Sequence, residues 1–456
     1  MNLVEVPVSR ERAILVGVEW KTRRVFPNSS PASRSHVDAE ESLAELCELA
    51  QSAGACVVDR IIQSRETPEA ATLIGTGKVR ELTALAASQR AAVILFDHDL
   101  TPTQQRNLED ALGTKVLDRT QLILDIFARR ARTREGRLQV ELAQLNYLLP
   151  RLTGHGAAMS RLGAGIKTRG PGETKLETDR RRIARRIKGI ERELEGVRGT
   201  RTVHRRQRGA VPLATLALVG YTNAGKSTIF NRLTDAGVLA DARMFATLDP
   251  TVRGVVLPSR RRVLVSDTVG FIRRLPTTLI QAFRATLEEV IEATLILHVV
   301  DASSPYASEH AAHVLEVLAE IGAGQIPQLL ILNKIDRLPE GHEDAAHITR
   351  RLAAQTSSKL NAASVPISAL TGEGMDRLTA SIDRVLPFDP VLRAQFRLPI
   401  EEGACISLLH ELGRVLDIRY LEHYCEVDAE VPTSLKQRLA RFVSSGPSCP
   451  APPQRL

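Results

Sequence analysis

A glycine-rich loop of eight residues constrains the fold of this chain more than any other sequence feature. Residues 220–227 read GYTNAGKS, follow the apolar run LATLALVG and precede a helical pattern. This order matches the phosphate-binding pattern GxxxxGK followed by Ser or Thr, whose glycines let the backbone wrap closely around phosphate. Further short apolar runs, RRVLVSD, TLILHVVD, PQLLILNK and ASVPIS, alternate with helical patterns. Together they predict a doubly wound, mainly parallel α/β domain that binds a nucleotide.

The loop supplies most of the predicted phosphate contacts and one metal ligand. Successive backbone N–H groups and the N-terminus of the following helix provide positive potential. Lys226 is predicted to reach the terminal phosphates, and Ser227 is predicted to ligate Mg²⁺. The predicted nucleotide contacts of this loop are Gly220, Tyr221, Thr222, Asn223, Ala224, Gly225, Lys226, Ser227 and Thr228.

A second motif, DTVG, begins at Asp267 and follows the apolar strand VLVS. An aspartate at the carboxyl end of such a strand faces the metal across the crevice of a doubly wound sheet. Gly270 would let its backbone N–H approach the γ-phosphate. The same four residues form an ordinary turn in many proteins. Their strand context and their order after the phosphate loop favour a role for Asp267 in the Mg²⁺ site.

Two later motifs are predicted to bind the base. Their residues are Asn333, Lys334, Asp336, Ser368, Ala369 and Leu370. The Asp336 carboxylate accepts hydrogen bonds from both N1–H and the exocyclic amine of guanine, a pair that adenine lacks. An unpaired buried acceptor would penalise ATP, and the N–H of Ala369 would meet guanine O6. The motif order therefore predicts a GTP hydrolase and argues against an ATP-dependent small-molecule kinase.

A switch threonine is predicted between the phosphate loop and the DTVG motif. Residues 245–251 read FATLDPT, and a threonine in this segment completes Mg²⁺ coordination when the γ-phosphate is bound. Thr247 is preferred and Thr251 is the alternative, although either could be a plain turn residue. Phe271 follows Gly270 where Ras-like switches place a water-orienting glutamine, so slow hydrolysis is predicted for the free protein. The predicted catalytic residues are Lys226, Thr247 and Gly270.

The length of 456 residues is too great for one ordinary core. An α/β pattern fills the first hundred-odd residues, and a short α+β pattern follows the nucleotide-binding part. The predicted units are an N-terminal α/β domain at 1–117, a helical hairpin with a linker at 118–209, a GTPase domain at 210–389, and a small α+β domain with a Pro/Ser-rich tail at 390–456.

Charge and composition limit the partners of the chain. Basic residues outnumber acidic ones by 61 to 53, and the formal charge of +8 permits a polyanionic partner without requiring one. Much of the basic excess lies in residues 180–208. Five cysteines form no CxxC pair and no metal-ligand spacing. A signal-peptide pattern and a run of membrane-spanning length are both absent from the sequence, so we expect a cytoplasmic monomer without membrane insertion.

Two apolar repeats predict a helical hairpin. Within each repeat the apolar residues are spaced by four and three, at Leu138, Leu142, Leu145, Leu149 and Leu152, and at Ile183, Ile187, Ile190, Leu194 and Val197. This spacing is typical of a coiled-coil seam. Two such seams around the glycine-rich residues 154–172 favour an antiparallel pair over two helices packed separately on a globular core. Residues 200–209 lack apolar periodicity and are predicted to be a linker.

Three segments outside the nucleotide motifs carry a family resemblance. They are LIGTGKVREL from Leu73, DRTQLILDIFARRARTREGRLQVELAQL from Asp118 and GPGETKLETDRRRI from Gly170. With the GTPase motifs they resemble HflX, a family of ribosome-associated GTPases, over residues 10–389. The resemblance implies a GTPase that binds the large ribosomal subunit, with its N-terminal domain near the peptidyl-transferase region, and that splits or rescues stalled or idle ribosomes. The GTGK at residues 75–78 is too short to be a phosphate loop.

Ribosomal RNA and a monovalent cation are further predicted partners. Arg161, Lys167 and Arg169 lie among glycines in the loop at residues 161–173, where the backbone can approach RNA and the cations meet phosphates. The alternative for that loop is a solvated turn. Asn223 resembles the asparagine that holds K⁺ in potassium-dependent GTPases, or else it satisfies local backbone groups. The competing function is a regulatory switch that binds a protein partner and uses GTP only to change shape.

Overall fold

A computed structural model of the chain gives its fold. The structure describes residues 11–21, 39–154, 171–208, 213–234, 244–245, 247–273, 284–339, 345, 347–351, 364–386, 391–421 and 423–444. Three β-sheets organise these residues, one in each of the N-terminal, GTPase and C-terminal parts. Within the described ranges, no helix combines the length and the apolar composition that crossing a membrane requires.

The N-terminal domain is a four-stranded sheet with helices on both faces. Its elements are β1 (Arg12–Trp20), α1 (Ala39–Ser52), β2 (Cys56–Arg65), α2 (Thr76–Gln89), β3 (Val93–Phe96), α3 (Pro102–Leu112), β4 (Lys115–Asp118) and α4 (Arg119–Arg130). The strands are parallel in the order β2-β1-β3-β4. Because side chains alternate along a strand, Ile14 and Val16 pack with α2 and α3, while Ala13 and Leu15 pack with α1 and α4. The predicted α/β fold is confirmed.

An antiparallel pair of helices follows the first domain. Helix α5 (Arg134–Leu148) leads into a 3₁₀ segment at Leu149–Gly154, and helix α6 (Pro171–Arg208) returns along α5. Leu138 packs against Ile190 and Leu194. An ion pair joins Arg186 Nε to Glu141 Oε1 at 2.7 Å. The predicted hairpin is therefore confirmed over two separately packed helices.

The two helices differ in length from the prediction. Because Pro150 lacks an N–H, regular helix ends before it, and Leu149 and Leu152 lie in the 3₁₀ segment instead of continuing a seam. The linker predicted at residues 200–209 was wrong for most of its length, since α6 runs to Arg208. Arginine and glutamine, which are common in that stretch, are good helix formers without any apolar stripe.

The GTPase domain is built on a six-stranded sheet. Its elements are β5 (Ala214–Gly220), α7 (Lys226–Thr234), β6 (Thr251–Val256), β7 (Arg262–Asp267), α8 (Arg284–Ile291), β8 (Leu295–Asp301), α9 (Ala307–Glu320), β9 (Gln328–Asn333), β10 (Ser364–Pro366) and α10 (Met375–Val385). The strand order is β10-β9-β8-β5-β7-β6, with β6 antiparallel to β7 and the others parallel. This confirms the doubly wound sheet. Strand β6, TVRGVV, was missed because this edge strand is half exposed and contains Arg and Gly.

The C-terminal domain is a small antiparallel sheet with helices on one face. Its elements are β11 (Val391–Pro399), α11 (Gly403–Leu412), β12 (Arg414–Tyr420), β13 (Tyr424–Pro432) and α12 (Thr433–Arg438). The strand order is β11-β13-β12, and Phe396, Leu409 and Val427 belong to the core beneath the helices. The predicted α+β class is confirmed. The predicted boundary at residues 389–390 and the tail beyond Ser444 lie outside the described residues.

The N-terminal and GTPase domains share one hydrophobic core. Phe245, Leu248 and Ile272 of the GTPase domain pack among side chains of α1 and α4. Phe127 of α4 meets Phe245 edge to face, with ring centroids 4.6 Å apart. We call residues 245–251 the switch-I segment, and its Phe245 and Leu248 are therefore held between the two domains.

Candidate nucleotide-binding site

The phosphate loop, residues 220–227, connects β5 to α7 and needs glycine at two positions for steric reasons. A Cβ on Gly220 would lie 2.2 Å from the carbonyl oxygen of Val299 in the neighbouring strand. Gly225 has a φ of +95°, and a Cβ there would lie 2.2 Å from Nδ2 of Asn333. Any larger residue would force the loop away from β8 and β9. The glycines therefore fix the shape of the loop as well as its access to a ligand.

Lys226 is buried at the first turn of α7. Its Nζ donates to the carbonyl oxygens of Gly220 at 3.1 Å and Tyr221 at 2.8 Å. Burial lowers the pKa of Lys226 to about 8, although the nearby Asp267 carboxylate opposes this shift. The ammonium group is thus held inside the loop by neutral carbonyls, and anionic phosphate oxygens would stabilise its charge further.

Ser227, Thr247 and Asp267 meet at one point beside Lys226. Both hydroxyl oxygens lie 2.7 Å from Oδ2 of Asp267, and they lie 2.9 Å from each other. Asp267 is fully buried, and its Oδ1 has no hydrogen-bond partner within the described part of the chain. Burial raises the pKa of Asp267, while the two hydroxyl hydrogen bonds act in the opposite direction. Oxygen donors around a partly unsatisfied buried carboxylate suit Mg²⁺.

The structure separates the two candidate switch threonines. Thr247 is buried and contacts both Ser227 and Asp267. Thr251 begins β6 and pairs with Asp267 through the antiparallel strand register. Because Thr251 belongs to the sheet, the geometry favours Thr247 as the metal ligand.

Gly270 packs against the phosphate loop without space for a side chain. A Cβ on Gly270 would lie 2.9 Å from Cα of Thr222 and 3.0 Å from Nζ of Lys226. The backbone of Phe271 bridges to the loop, donating to Gly220 O at 3.1 Å and accepting from Thr222 N at 2.7 Å. The Phe271 ring is buried in an apolar cluster with side chains of α8 and α9. This ring has no polar group with which to orient water.

Asn333 links the phosphate loop to the loop that follows β10. Its Nδ2 donates to Ala224 O at 2.8 Å, and its Oδ1 accepts from Ala369 N at 3.0 Å. The N–H that was predicted to meet guanine O6 is therefore already bound to Asn333, so the base would share it. Asp336 accepts a hydrogen bond of 2.6 Å from Ser368 Oγ, which fixes the carboxylate predicted to bind guanine.

A cavity of about 270 Å³ extends from the phosphate loop to Asp336. The predicted residues that line it are Thr222, Asn223, Gly225, Lys226, Ser227, Thr228, Thr247, Gly270, Asn333, Lys334, Asp336, Ala369 and Leu370. The predicted residues behind this lining are Gly220, Tyr221, Ala224, Asp267 and Ser368. The Tyr221 side chain turns to the N-terminal domain, where its hydroxyl donates to Glu45. Its ring stacks on His310 with centroids 3.9 Å apart.

Asn223 stands at the rim of the cavity. It is exposed and has a φ of +60°. Among the hydrogen bonds of the described residues, none involves the Asn223 side chain. The alternative role for Asn223, hydrogen bonding to local backbone groups, therefore has no support among these contacts. The predicted RNA contacts Arg161, Lys167 and Arg169 lie outside the described residues.

Sequence reasoning missed two residues that hold the loops of the site. Arg232 of α7 donates from Nε to Ala369 O at 3.2 Å and from Nη2 to Leu370 O at 2.6 Å. Asp249 of the switch-I segment accepts hydrogen bonds from the backbone that precedes α5. Both contacts join residues more than a hundred positions apart, so a local pattern gives no signal for either.

Known protein families match most of this chain. Models described as GTP-binding GTPase N-terminal, GTP-binding GTPase middle region and 50S ribosome-binding GTPase match residues 40–128, 130–208 and 215–334. A GTPase HflX of Caldanaerobacter subterraneus is 45% identical over 97% of this chain and 96% of its own length. The GTPase HflX of Alkalihalophilus pseudofirmus is 53% identical over 72% of this chain and 74% of its own length. That of Escherichia coli is 43% identical over 86% of this chain and 89% of its own length.

Proposed function

The chain belongs to the HflX family of GTPases and hydrolyses GTP, and on that premise we propose that it binds the large ribosomal subunit and splits or rescues stalled or idle ribosomes. A family described as ribosome-binding matches residues 215–334, which supports the partner. The basic excess in α6 supports an RNA surface. A cytoplasmic protein that associates with ribosomes follows from this proposal.

The meeting of Ser227, Thr247 and Asp267 is the observation that carries the catalytic part of the proposal. These three residues would hold Mg²⁺, and Lys226 would bind the terminal phosphates. Mg²⁺ held there would supply positive charge to the phosphate oxygens during transfer of the γ-phosphoryl group to water. The backbone N–H of Gly270 approaches the γ-phosphate, because this residue already lies against the loop without a side chain between them.

The loops after β9 and β10 give the site its preference for guanine. Asp336, held by Ser368, accepts from N1–H and the amine of the base. Asn333 joins the phosphate loop to Ala369, so the base and the phosphates are bound by one connected set of contacts. The remaining guanine contacts are Lys334 and Leu370, which line the same cavity.

Hydrolysis by the free protein is slow because the buried Phe271 ring cannot orient water. The missing stabilisation comes from the large subunit, which orders the switches on docking, and from K⁺ bound beside the exposed Asn223. Arg161, Lys167 and Arg169 contact ribosomal RNA from the loop at the tip of the hairpin. The N-terminal domain lies towards the peptidyl-transferase region in the complex.

Sedimentation of the full-length protein with ribosomes tests the proposal directly. With a non-hydrolysable GTP analogue the protein should pellet with large subunits and convert 70S particles into subunits, while with GDP it should remain mostly in the supernatant. Lys226→Ala serves as the control that cannot engage the terminal phosphates. A protein that stays in the supernatant with every nucleotide would instead support the switch with a protein partner.

A deletion separates docking from hydrolysis. Removing residues 161–173 should abolish subunit splitting and leave the intrinsic rate of GTP hydrolysis unchanged, since these residues lie outside the nucleotide motifs. Large subunits should accelerate hydrolysis by the intact chain only. Normal splitting by the shortened protein would show that the hairpin tip is not the RNA contact.

A further inference from the structure

The switch-I segment is attached to the beginning of the helical hairpin through one carboxylate. Oδ2 of Asp249 accepts from the backbone N–H groups of Arg132 and Thr133, both at 2.9 Å. Oδ1 of Asp249 accepts from Thr133 Oγ1 at 2.5 Å. Thr133 is the N-cap of α5, and its hydroxyl oxygen accepts from Gly136 N at 2.9 Å. Asp249 therefore extends the cap of the first hairpin helix from another domain.

The contact is favourable in charge and tight in space. A carboxylate at a helix N-terminus is stabilised by the exposed N–H groups and the helix dipole, and ionised acceptors make the stronger hydrogen bonds. A Cβ on Gly136 would lie only 2.4 Å from Oδ1 of Asp249. A side chain at position 136 would push the carboxylate away, so the close approach of Asp249 depends on this glycine.

The neighbours of Thr247 in the chain also pack against the N-terminal domain and the hairpin. Leu248 is 3% exposed and belongs to the core that also contains side chains of α1, α4 and α5. Phe245, on the other side of Thr247, packs against Phe127 of α4. Thr247 thus lies between two residues that pack on the N-terminal half of the protein. Its own hydroxyl lies 2.7 Å from Asp267 Oδ2 in the GTPase domain.

We propose that Asp249 is a positioning residue for Thr247, through which the orientation of α5 controls metal binding at the nucleotide site. If α5 moves, Asp249 moves with it, and Thr247 is displaced from Ser227 and Asp267. This gives the hairpin a route to the switch that does not pass through the junction of α6 and β5. Its use by a docked ribosome rests on the proposed function, whereas the positioning itself does not.

The Mg²⁺ dependence of GTP hydrolysis by the full-length chain tests the positioning without ribosomes. Asp249→Ala should raise the half-saturating Mg²⁺ concentration about tenfold, the effect of losing a charge-assisted contact. Affinity for GDP should stay within about twofold of the wild type, since the switch threonine engages the metal only with the γ-phosphate. An equal loss of GTP and GDP affinity would mean a general structural defect and would overturn the proposal.

A change on the hairpin side provides an independent variant. Gly136→Ala should shift the Mg²⁺ dependence in the same direction, because its Cβ displaces the Asp249 carboxylate. Gly189→Ala in α6 is the matched control, since a Cβ there meets nothing within 4 Å. Combined, Asp249→Ala and Gly136→Ala should give less than the sum of their effects, as expected for partners in one contact. Wild-type Mg²⁺ dependence in both single variants would refute the assignment.

Acceleration of GTP hydrolysis by large ribosomal subunits tests whether docking acts through Asp249. Large subunits should accelerate hydrolysis by the wild type and by Gly189→Ala several times more than by Asp249→Ala, with Mg²⁺ saturating in every case. Full acceleration of Asp249→Ala would remove Asp249 from the coupling route. If the wild type is not accelerated at all, the proposed ribosomal role fails, and the Mg²⁺ titration alone decides the positioning role.

Discussion

The hydroxyl oxygens of Ser227 and Thr247 lie 2.9 Å apart, although the residues are 20 positions apart in the chain. Both also contact Oδ2 of Asp267. Thr247 of the switch-I segment therefore lies beside the first turn of α7, and a metal bound to Ser227 would have Thr247 within reach.

Lys226 and Ser227 should fail for different reasons when truncated. Lys226→Ala removes a charge from the phosphate site, and Ser227→Ala removes a metal ligand, so each should lower kcat/KM on the order of 100-fold. Raising Mg²⁺ should partly restore only Ser227→Ala in steady-state assays. Thr251→Ala is the control, since Thr251 belongs to β6, and it should remain within a few-fold of the wild type. Rescue of both truncations by Mg²⁺ would contradict the assigned roles.

Asp336→Asn should exchange the base preference of the protein. Asparagine has an NH₂ group in place of one carboxylate oxygen, so it can donate to the O2 of xanthine but cannot accept from N1–H and the exocyclic amine of guanine with two separate oxygens. GTP affinity should therefore fall about 100-fold, and xanthosine triphosphate should bind better than GTP. Equilibrium binding of fluorescent nucleotides measures both affinities. The same exchange at the exposed Asp376 in α10 should leave them unchanged. Retained preference for GTP in Asp336→Asn would remove this carboxylate from base recognition.

Nucleotide affinity should decline as pH rises through about 8. The folded protein lowers the pKa of Lys226 to about 8 through burial, so the free site loses its ammonium proton above that pH, and the phosphates must restore it on binding. Calorimetry of GDP binding at pH 8.5 in buffers of different ionisation enthalpy should show proton uptake. Uptake should vanish near pH 6.5, where the lysine is already charged. Binding without net proton transfer at both pH values would show that the ammonium does not titrate in this range.

Arg232 should act on affinity more than on turnover. Its two hydrogen bonds hold the carbonyl groups of Ala369 and Leu370, so Arg232→Ala should weaken guanine nucleotide binding about tenfold while leaving kcat at saturation nearly unchanged. Arg384→Ala, on the exposed side of α10, is the control. Stopped-flow dissociation of labelled GDP measures the effect, and an unchanged dissociation rate in Arg232→Ala would count against this role.

The sequence predicted the parts of the fold that depend on local order. Three apolar strands end at Gly220, Asp267 and Asn333, which are residues of nucleotide-binding motifs. In a parallel sheet the carboxyl ends of the strands face one crevice, so this order predicted the sheet and the site together. The end of α6 at Arg208 was not predicted, because this part of the helix has no apolar stripe. The end of α5 before Pro150 was missed because the leucine spacing continues beyond that proline.

Contacts between distant segments could not be predicted from one sequence. The bond from Arg232 to Ala369 O spans 137 positions, and that from Thr133 N to Asp249 spans 116. Both involve backbone groups, which every residue has, so side-chain type alone does not identify the partner. The choice between Thr247 and Thr251 likewise depended on the register of β6, which the sequence did not reveal.

The antiparallel register of β6 fixes how many residues can separate Thr247 from Thr251. Thr251 is paired with Asp267 through the backbone, while Thr247 must reach the side chain of that same aspartate. Because one residue changes the reach of a chain by up to about 3.3 Å, inserting or deleting one residue between Thr247 and Thr251 would carry the Thr247 hydroxyl beyond hydrogen-bonding distance of Asp267. The contacts of Leu248 and Asp249 act on the identity of the side chains in this segment. The register of β6 adds a separate constraint on the number of residues, which no exchange of side chains can relieve.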